Sequence, residues 1–201
     1  LQGIGREAFK NCTSFSNGLV VPGTVTDGIG FCAFQGFGKY SDNPGSLNIQ
    51  SGTFNGGTKV GAFVFNDAKF HDIIIGGNVR EIASHAFRHG YSTTENESTV
   101  TADYSKFTGS LTIQSGVDTI GYCAFYNCSN LNGTLAFETN SDETDGVSSI
   151  AEGAFRGCTG ISGDLYIPRT VKTIGRCAFK IFGYGNGSLK IYGGSDGTGT
   201  K

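Results

Sequence analysis

Six cysteines and a close pair of histidines are the residues of this 201-residue chain best suited to chemistry. Cys12, Cys128 and Cys158 each stand three positions after a phenylalanine, and Cys32, Cys123 and Cys177 each stand directly before an alanine. In an exported protein, six cysteines invite disulfides. Cys12 could then meet Cys32, and Cys158 could meet Cys177, each one repeat apart. The regular placement also fits a small apolar filler recurring in two slots, and it favours that reading. Zinc has less support, because no Cys-x-x-Cys knuckle occurs. His85 and His89 are four apart, which would put them on one face of a helix and supply half a metal site. His85, however, fills the slot that Cys32, Cys123 and Cys177 fill elsewhere.

Other catalytic patterns are missing. No Gly-x-Ser-x-Gly elbow is present, and no cysteine and histidine share a known motif. Gly183, Gly185 and Gly187 alternate, yet no Lys-Ser/Thr follows to make a phosphate loop. Asp142, Glu143 and Asp145 cluster as a loop calcium site would, although a solvated loop accounts for them better. Asn-x-Ser/Thr sequons at Asn11, Asn96, Asn127 and Asn186 matter only where the source adds N-glycans. The reading is therefore non-enzymatic, with no catalytic residue, no metal and no cofactor expected.

Composition narrows the class. Net charge is −2 and the pI about 5.9, whereas nucleic-acid binding needs a clustered basic surface. No nucleic-acid partner is expected. The 15 Lys and Arg are scattered, against a polybasic membrane patch. With no long apolar run, no membrane insertion is expected within the chain. Glycine makes up 33 of the 201 residues and proline only 3, against a usual glycine content of about 7%. Such a chain makes many tight turns between short strands.

The elements that must position these residues are set by a repeat. A hexapeptide with Ile or Val first, Gly or Ala second, then two free positions, Ala or Val, and Phe begins at Ile4, Ile29, Val60, Ile82, Ile120, Ile150 and Ile174. Between copies runs an apolar-x-apolar triplet: Leu19/Val21, Leu47/Ile49, Ile73/Ile75, Leu111/Ile113, Leu135/Phe137, Leu165/Ile167 and Leu189/Ile191. That alternation marks a strand with one buried face. The spacings sum to a base period of 24 residues, with polar insertions at Arg88 to Thr108 and Glu138 to Gly146. One such unit cannot bury its own apolar face, so units must stack.

The expected fold is a right-handed solenoid of about seven coils, mainly β or α/β, filling residues 1–201 as one domain. One parallel sheet would line one side, and the Ala-Phe segments would make short helical or irregular turns on the other. Ala would sit where coils pass closely and Phe would fill the wide interior. The Gly after Ile would avoid a clash or supply a positive φ. Leu1 falls mid-repeat and no capping unit opens the chain, so the piece is expected to come from a longer array.

These residues resemble the BspA-like class of leucine-rich repeats, whose unit reads roughly Leu-x-Ile-Pro-x-x-Val-x-x-Ile-Gly-x-x-Ala-Phe-x-x-Cys. The fullest copy runs through Leu165, Ile167, Pro168, Val171, Ile174, Gly175, Ala178 and Phe179, and Cys12, Cys128 and Cys158 occupy the Cys position. The sequence departs from the pattern where Phe37, Ala68, Gly90 and Phe182 replace that Cys, and where only Pro22 and Pro168 keep the Pro. The resemblance implies an exported or cell-surface protein that adheres to or binds other proteins.

The candidate binding surface is the outward row of the triplets: Val20, Asn48, Ile74, Thr112, Ala136, Tyr166 and Lys190, with Tyr192 beside it. The expected partner is a protein or glycan, on a host or neighbouring cell, with the insertion Arg88 to Thr108 as the alternative binding surface. Two other readings stand beside this one. The array could be a spacer for another domain, or a carbohydrate-binding appendage centred on Tyr166 and Tyr192.

Overall fold

The computed structural model describes residues 1–51, 58–77, 79–90, 107–183 and 187–192. Each apolar triplet forms a strand: β2 (Leu19–Val21), β4 (Leu47–Ile49), β6 (Ile73–Ile75), β8 (Leu111–Ile113), β10 (Leu135–Phe137), β12 (Leu165–Ile167) and β14 (Leu189–Ile191). β2 to β10 make a five-stranded parallel sheet in coil order, and β12 pairs with β14. Identical slots face one another, as in Leu47 against Ile73 and Ile73 against Leu111.

A second sheet differs from the single sheet expected. The step into the hexapeptide is itself extended: β1 (Gly3–Ile4), β3 (Gly28–Ile29), β5 (Thr58–Val60), β7 (Val79–Ile82), β9 (Thr119–Ile120), β11 (Ser149–Ile150) and β13 (Thr173–Ile174). These seven strands make one parallel sheet in the order β1-β3-β5-β7-β9-β11-β13. Their shortness hid them in the sequence, because five of the seven are two residues long and show no alternation.

The expectation of helical turns is also corrected, since no helix occurs among the described residues. The residue before Ala-Phe, or Val-Phe in the third copy, takes a left-handed conformation in every copy: Glu7, Cys32, Phe63, His85, Cys123, Gly153 and Cys177, with φ from 51° to 65°. A helix cannot pass through that conformation. Hydrogen bonding explains the choice. The Ala amide donates three residues back, as from Ala124 to Gly121 O at 3.2 Å. The Phe amide donates instead to the next coil: Phe9 to Ala33, Phe34 to Val64, Phe65 to Ala86, Phe87 to Ala124, Phe125 to Ala154 and Phe155 to Ala178, at 2.7–2.9 Å. An α-helix would spend those donors within its own turn. Here they fasten one coil to the next.

The Gly after Ile avoids a clash rather than supplying a positive φ. A Cβ on Gly61 would lie 2.5 Å from Ile29 O, and one on Gly121 2.7 Å from Ile82 O. Ala83 and Ala151 show that a methyl is the most any copy places there.

The core sits between the two sheets and the turns. Seven phenylalanines, Phe9, Phe34, Phe65, Phe87, Phe125, Phe155 and Phe179, form one continuous stack. Successive centroids are 4.7–5.4 Å apart and rings lie within 21° of parallel. That spacing follows from in-register coils, which repeat at about 4.8 Å. A shorter second column, Phe15, Phe37, Phe70 and Phe107, runs beside it and meets the first edge-on. The columns open to solvent at the ends: Phe9 is 41% and Phe15 56% exposed and Phe179 is half-buried, while Phe34 to Phe155 are buried.

This gradient sets an expectation for urea unfolding. Phe125→Ala should cost about 3–5 kcal/mol, the usual penalty for a buried phenylalanine. Phe9→Ala, already open on one side, should cost well under half as much. Equal losses at both sites would contradict the stacked core.

Candidate binding surface

The outward row assembles as expected at its first five positions. Val20, Asn48, Ile74, Thr112 and Ala136 pair in register across β2, β4, β6, β8 and β10. Flanking coils shield its middle, so Asn48, Ile74, Thr112 and Ala136 are half-buried, and Val20 is 58% exposed. Ile74 is therefore not the open apolar residue expected of it. Tyr166 and Lys190 lie in register on the separate β12–β14 pair.

There the side chains form a cluster that the triplet pattern did not reveal. The Tyr166 hydroxyl donates to Asp164 Oδ2 at 3.0 Å and accepts from Lys190 Nζ at 3.2 Å. Lys190 Nζ also lies 4.9 Å from the Tyr166 ring centre and 3.8 Å from Asp164 Oδ2. The Tyr166 and Tyr192 rings stack at 6.5 Å and 10°. Asp164 Oδ1 accepts the Ser188 amide at 2.8 Å, and that bond, followed by the Ser188 side chain and then the Tyr166 hydroxyl, lowers its pKa. The hydrogen bond to Tyr166 raises that of Lys190. The cluster thus keeps both charges at neutral pH and holds an exposed aromatic in one orientation. Asp164 precedes its strand by one position, a slot outside the triplets, so its role could have been read only by asking which polar residue reaches the next coil.

Asp72 does the same one position before β6. Its Oδ1 accepts the Ser110 amide at 2.8 Å, and its Oδ2 meets His71 Nδ1 at 2.9 Å.

The cysteines are all free thiols. The pairs Cys12/Cys32 and Cys158/Cys177 are not bonded, and each joins two different slots of the coil. Neighbours in one column are Cys128 and Cys158, both fully buried, whose thiols donate to Phe87 O at 3.2 Å and Phe125 O at 3.1 Å. Burial, then the adjoining Cys158 thiol, pushes the Cys128 pKa well up. Burial likewise raises Cys32 and Cys123. A raised pKa leaves little thiolate for nucleophilic or redox chemistry.

His85 and His89 do not share a helix face, because His85 is left-handed. His85 stacks on Phe63 at 4.8 Å, and burial lowers its pKa. His89 is 2% exposed and meets Phe107 edge-on at 4.3 Å. The acidic cluster diverges: Glu143 pairs with Arg169 at 2.6 Å and Asp145 with Arg80 at 3.6 Å. Among the described residues, no three His, Cys, Asp or Glu are placed to hold a metal ion. Asn11 and Asn127 hold left-handed turn positions. Asn132 begins a further sequon and accepts the Gly109 amide at 3.0 Å. Gly185, Asn96, Asn186 and the insertion from 91 to 106 lie outside the described residues.

The Asp72 contact carries a pH signature. Burial alone would raise its pKa, but the Ser110 amide and His71 outweigh that and lower it. A depressed folded pKa means the stabilisation is complete above the unfolded value of about 3.9 and is lost as pH falls through the folded one. Because the side chain is 42% exposed, the effect should stay within about 1 kcal/mol. Asp72→Asn should lower the urea midpoint at pH 7, and the gap to the native chain should close below about pH 4. A gap that persists at pH 2 would rule out the charged contact.

No helix among the described residues is long and apolar enough to cross a membrane. A family model for the BspA type leucine rich repeat region matches in six copies, over residues 2–132 and 102–182. No curated protein and no solved structure matches the chain. The family match covers the coils from β1 to β13, and the chain belongs to the BspA type leucine-rich-repeat family.

Proposed function

We propose that this chain is an exported or cell-surface interaction module. It binds a protein or glycan partner through the outward strand row, anchored at Tyr166, Lys190 and Tyr192, and it has no catalytic role. Proteins of this family are generally surface repeat proteins that mediate interactions, and the repeat is typically non-catalytic. The observation that carries the reading is the cluster of Asp164, Tyr166, Lys190 and Tyr192. It is exposed and internally bonded, so it presents an aromatic face and a cation at little entropic cost. Asn48, Ile74 and Thr112 extend the same surface along the coils.

A spacer role is the second reading. It is favoured by the half-buried middle of the row, which offers a partner little beyond the edges of packed side chains.

The test uses the purified chain as bait against extracts of host or neighbouring cells, beside a bait carrying Tyr166→Ala, Ile74→Ala and Lys190→Ala. A partner captured by the native chain should bind the triple variant at least tenfold more weakly, a change of about 1.4 kcal/mol. A partner held equally by both baits would remove the strand row from the interaction. Capture of no partner would favour the spacer.

A further inference from the structure

A cleft of about 910 Å³ opens on the other sheet, under the Glu138 to Gly146 insertion. Its floor is a column with one residue from each of four successive coils: Arg80, Asp118, Ser148 and Lys172. Backbone bonds hold the column in register. The Asp118 amide donates to Arg80 O at 3.0 Å, Ser148 to Asp118 O at 2.9 Å and Lys172 to Ser148 O at 2.8 Å.

The wall is the insertion itself, which is built rather than loose. Asn140 Oδ1 accepts the amides of Thr144 and Asp145 at 2.8 and 2.9 Å, and the Asn140 amide donates to Asp145 O at 3.2 Å. Two ion pairs, Glu143 with Arg169 and Asp145 with Arg80, tie the loop to the coils. Thr170 also lines the cleft. It is 8% exposed, and its buried hydroxyl has no hydrogen-bond partner among the described residues. Gly146, with φ 153°, sits against that hydroxyl, where a Cβ would come within 3.3 Å of Thr170 Oγ1.

The lining selects the chemistry. Arg80, Arg169 and Lys172 are balanced by Asp118, Glu143 and Asp145, so the cleft has no net formal charge to concentrate a phosphate or a polyanion. No aromatic or large aliphatic side chain lines it to anchor an apolar peptide segment. The acids engaged with arginine do not converge on a cation. What remains is a dense alternation of donors and acceptors, in which Lys172 has no ion pair among the described residues. Sugar hydroxyls donate and accept at once, as serine and threonine hydroxyls do. Successive floor residues repeat at about 4.8 Å, comparable to the length of one hexose ring.

We infer that this cleft is a binding site for a neutral oligosaccharide lying along the solenoid axis. One sugar sits over each floor residue, and the insertion forms the wall. The site shares no residue with the outward strand row, so either can fail without the other.

The test is direct binding of the full chain to an array of immobilised neutral oligosaccharides, with sialylated and sulfated glycans as separate arms. Asp118→Asn and Lys172→Gln change exposed side chains and serve as the primary variants, their folding checked by thermal melting. Should either melt early, Arg169→Gln replaces it. Tyr166→Ala, on β12 and outside the cleft lining, is the control. The expected result is retention of a neutral oligosaccharide, weakened at least tenfold by the cleft variants and unchanged by Tyr166→Ala. Retention of no neutral glycan, preference for the sulfated or sialylated arm, or binding indifferent to the cleft variants would each overturn the assignment.

Discussion

The stack of seven phenylalanines, tied coil to coil by their own amides, is the constraint on which the rest of this structure depends. A ring stack at about 5 Å requires each coil to sit in register with the next. Register then places each slot of one coil over the same slot of the next, as Leu47 beside Ile73 and Ile73 beside Leu111. It also brings the Phe amide within 2.7–2.9 Å of the neighbouring coil's carbonyl. To reach that carbonyl the chain accepts a left-handed residue before Ala-Phe or Val-Phe in every copy. Hydrogen bonding between coils thus replaces hydrogen bonding within a helix. The stability comes from sums of similar neighbour terms, as expected of a repeat protein.

Much of this was legible in the sequence. The spacing of Ile, Gly, Ala and Phe sets the coil, and the apolar triplets give their strands within the same residues. The second sheet was not legible, because strands such as Thr119–Ile120 are too short to alternate. Nor was the turn conformation. Glu7, Cys32, Phe63 and His85 share a left-handed backbone that none of these side chains advertises. Only the glycine at position 153 in the same slot hints at it. The cysteines were legible as slot fillers, yet which two share a column required knowing how the coils stack.

The candidate sites divided along the same line. The row from Val20 to Ala136 followed directly from the alternation. The partnership of Asp164 with Ser188 did not, because it runs between coils 24 residues apart. The cleft was further still from view. Its floor combines a column of unlike residues, and its wall is an insertion that reads as a polar loop. Both surfaces use positions that the stack leaves free. Residues that stabilise the array are buried and repeated, whereas residues able to recognise a partner are exposed and differ from coil to coil. This separation lets one scaffold carry different binding surfaces without repacking its core.

Native-state amide hydrogen exchange tests the central claim most directly. If the turns fasten the coils, the amides of Phe34, Phe65, Phe87 and Phe125 should be as protected as those of Leu47, Ile73 and Leu111, all exchanging through the same cooperative opening. Protected strand amides alongside phenylalanine amides that exchange like an exposed loop would contradict it, leaving a pair of sheets joined by turns that do not hold the coils together.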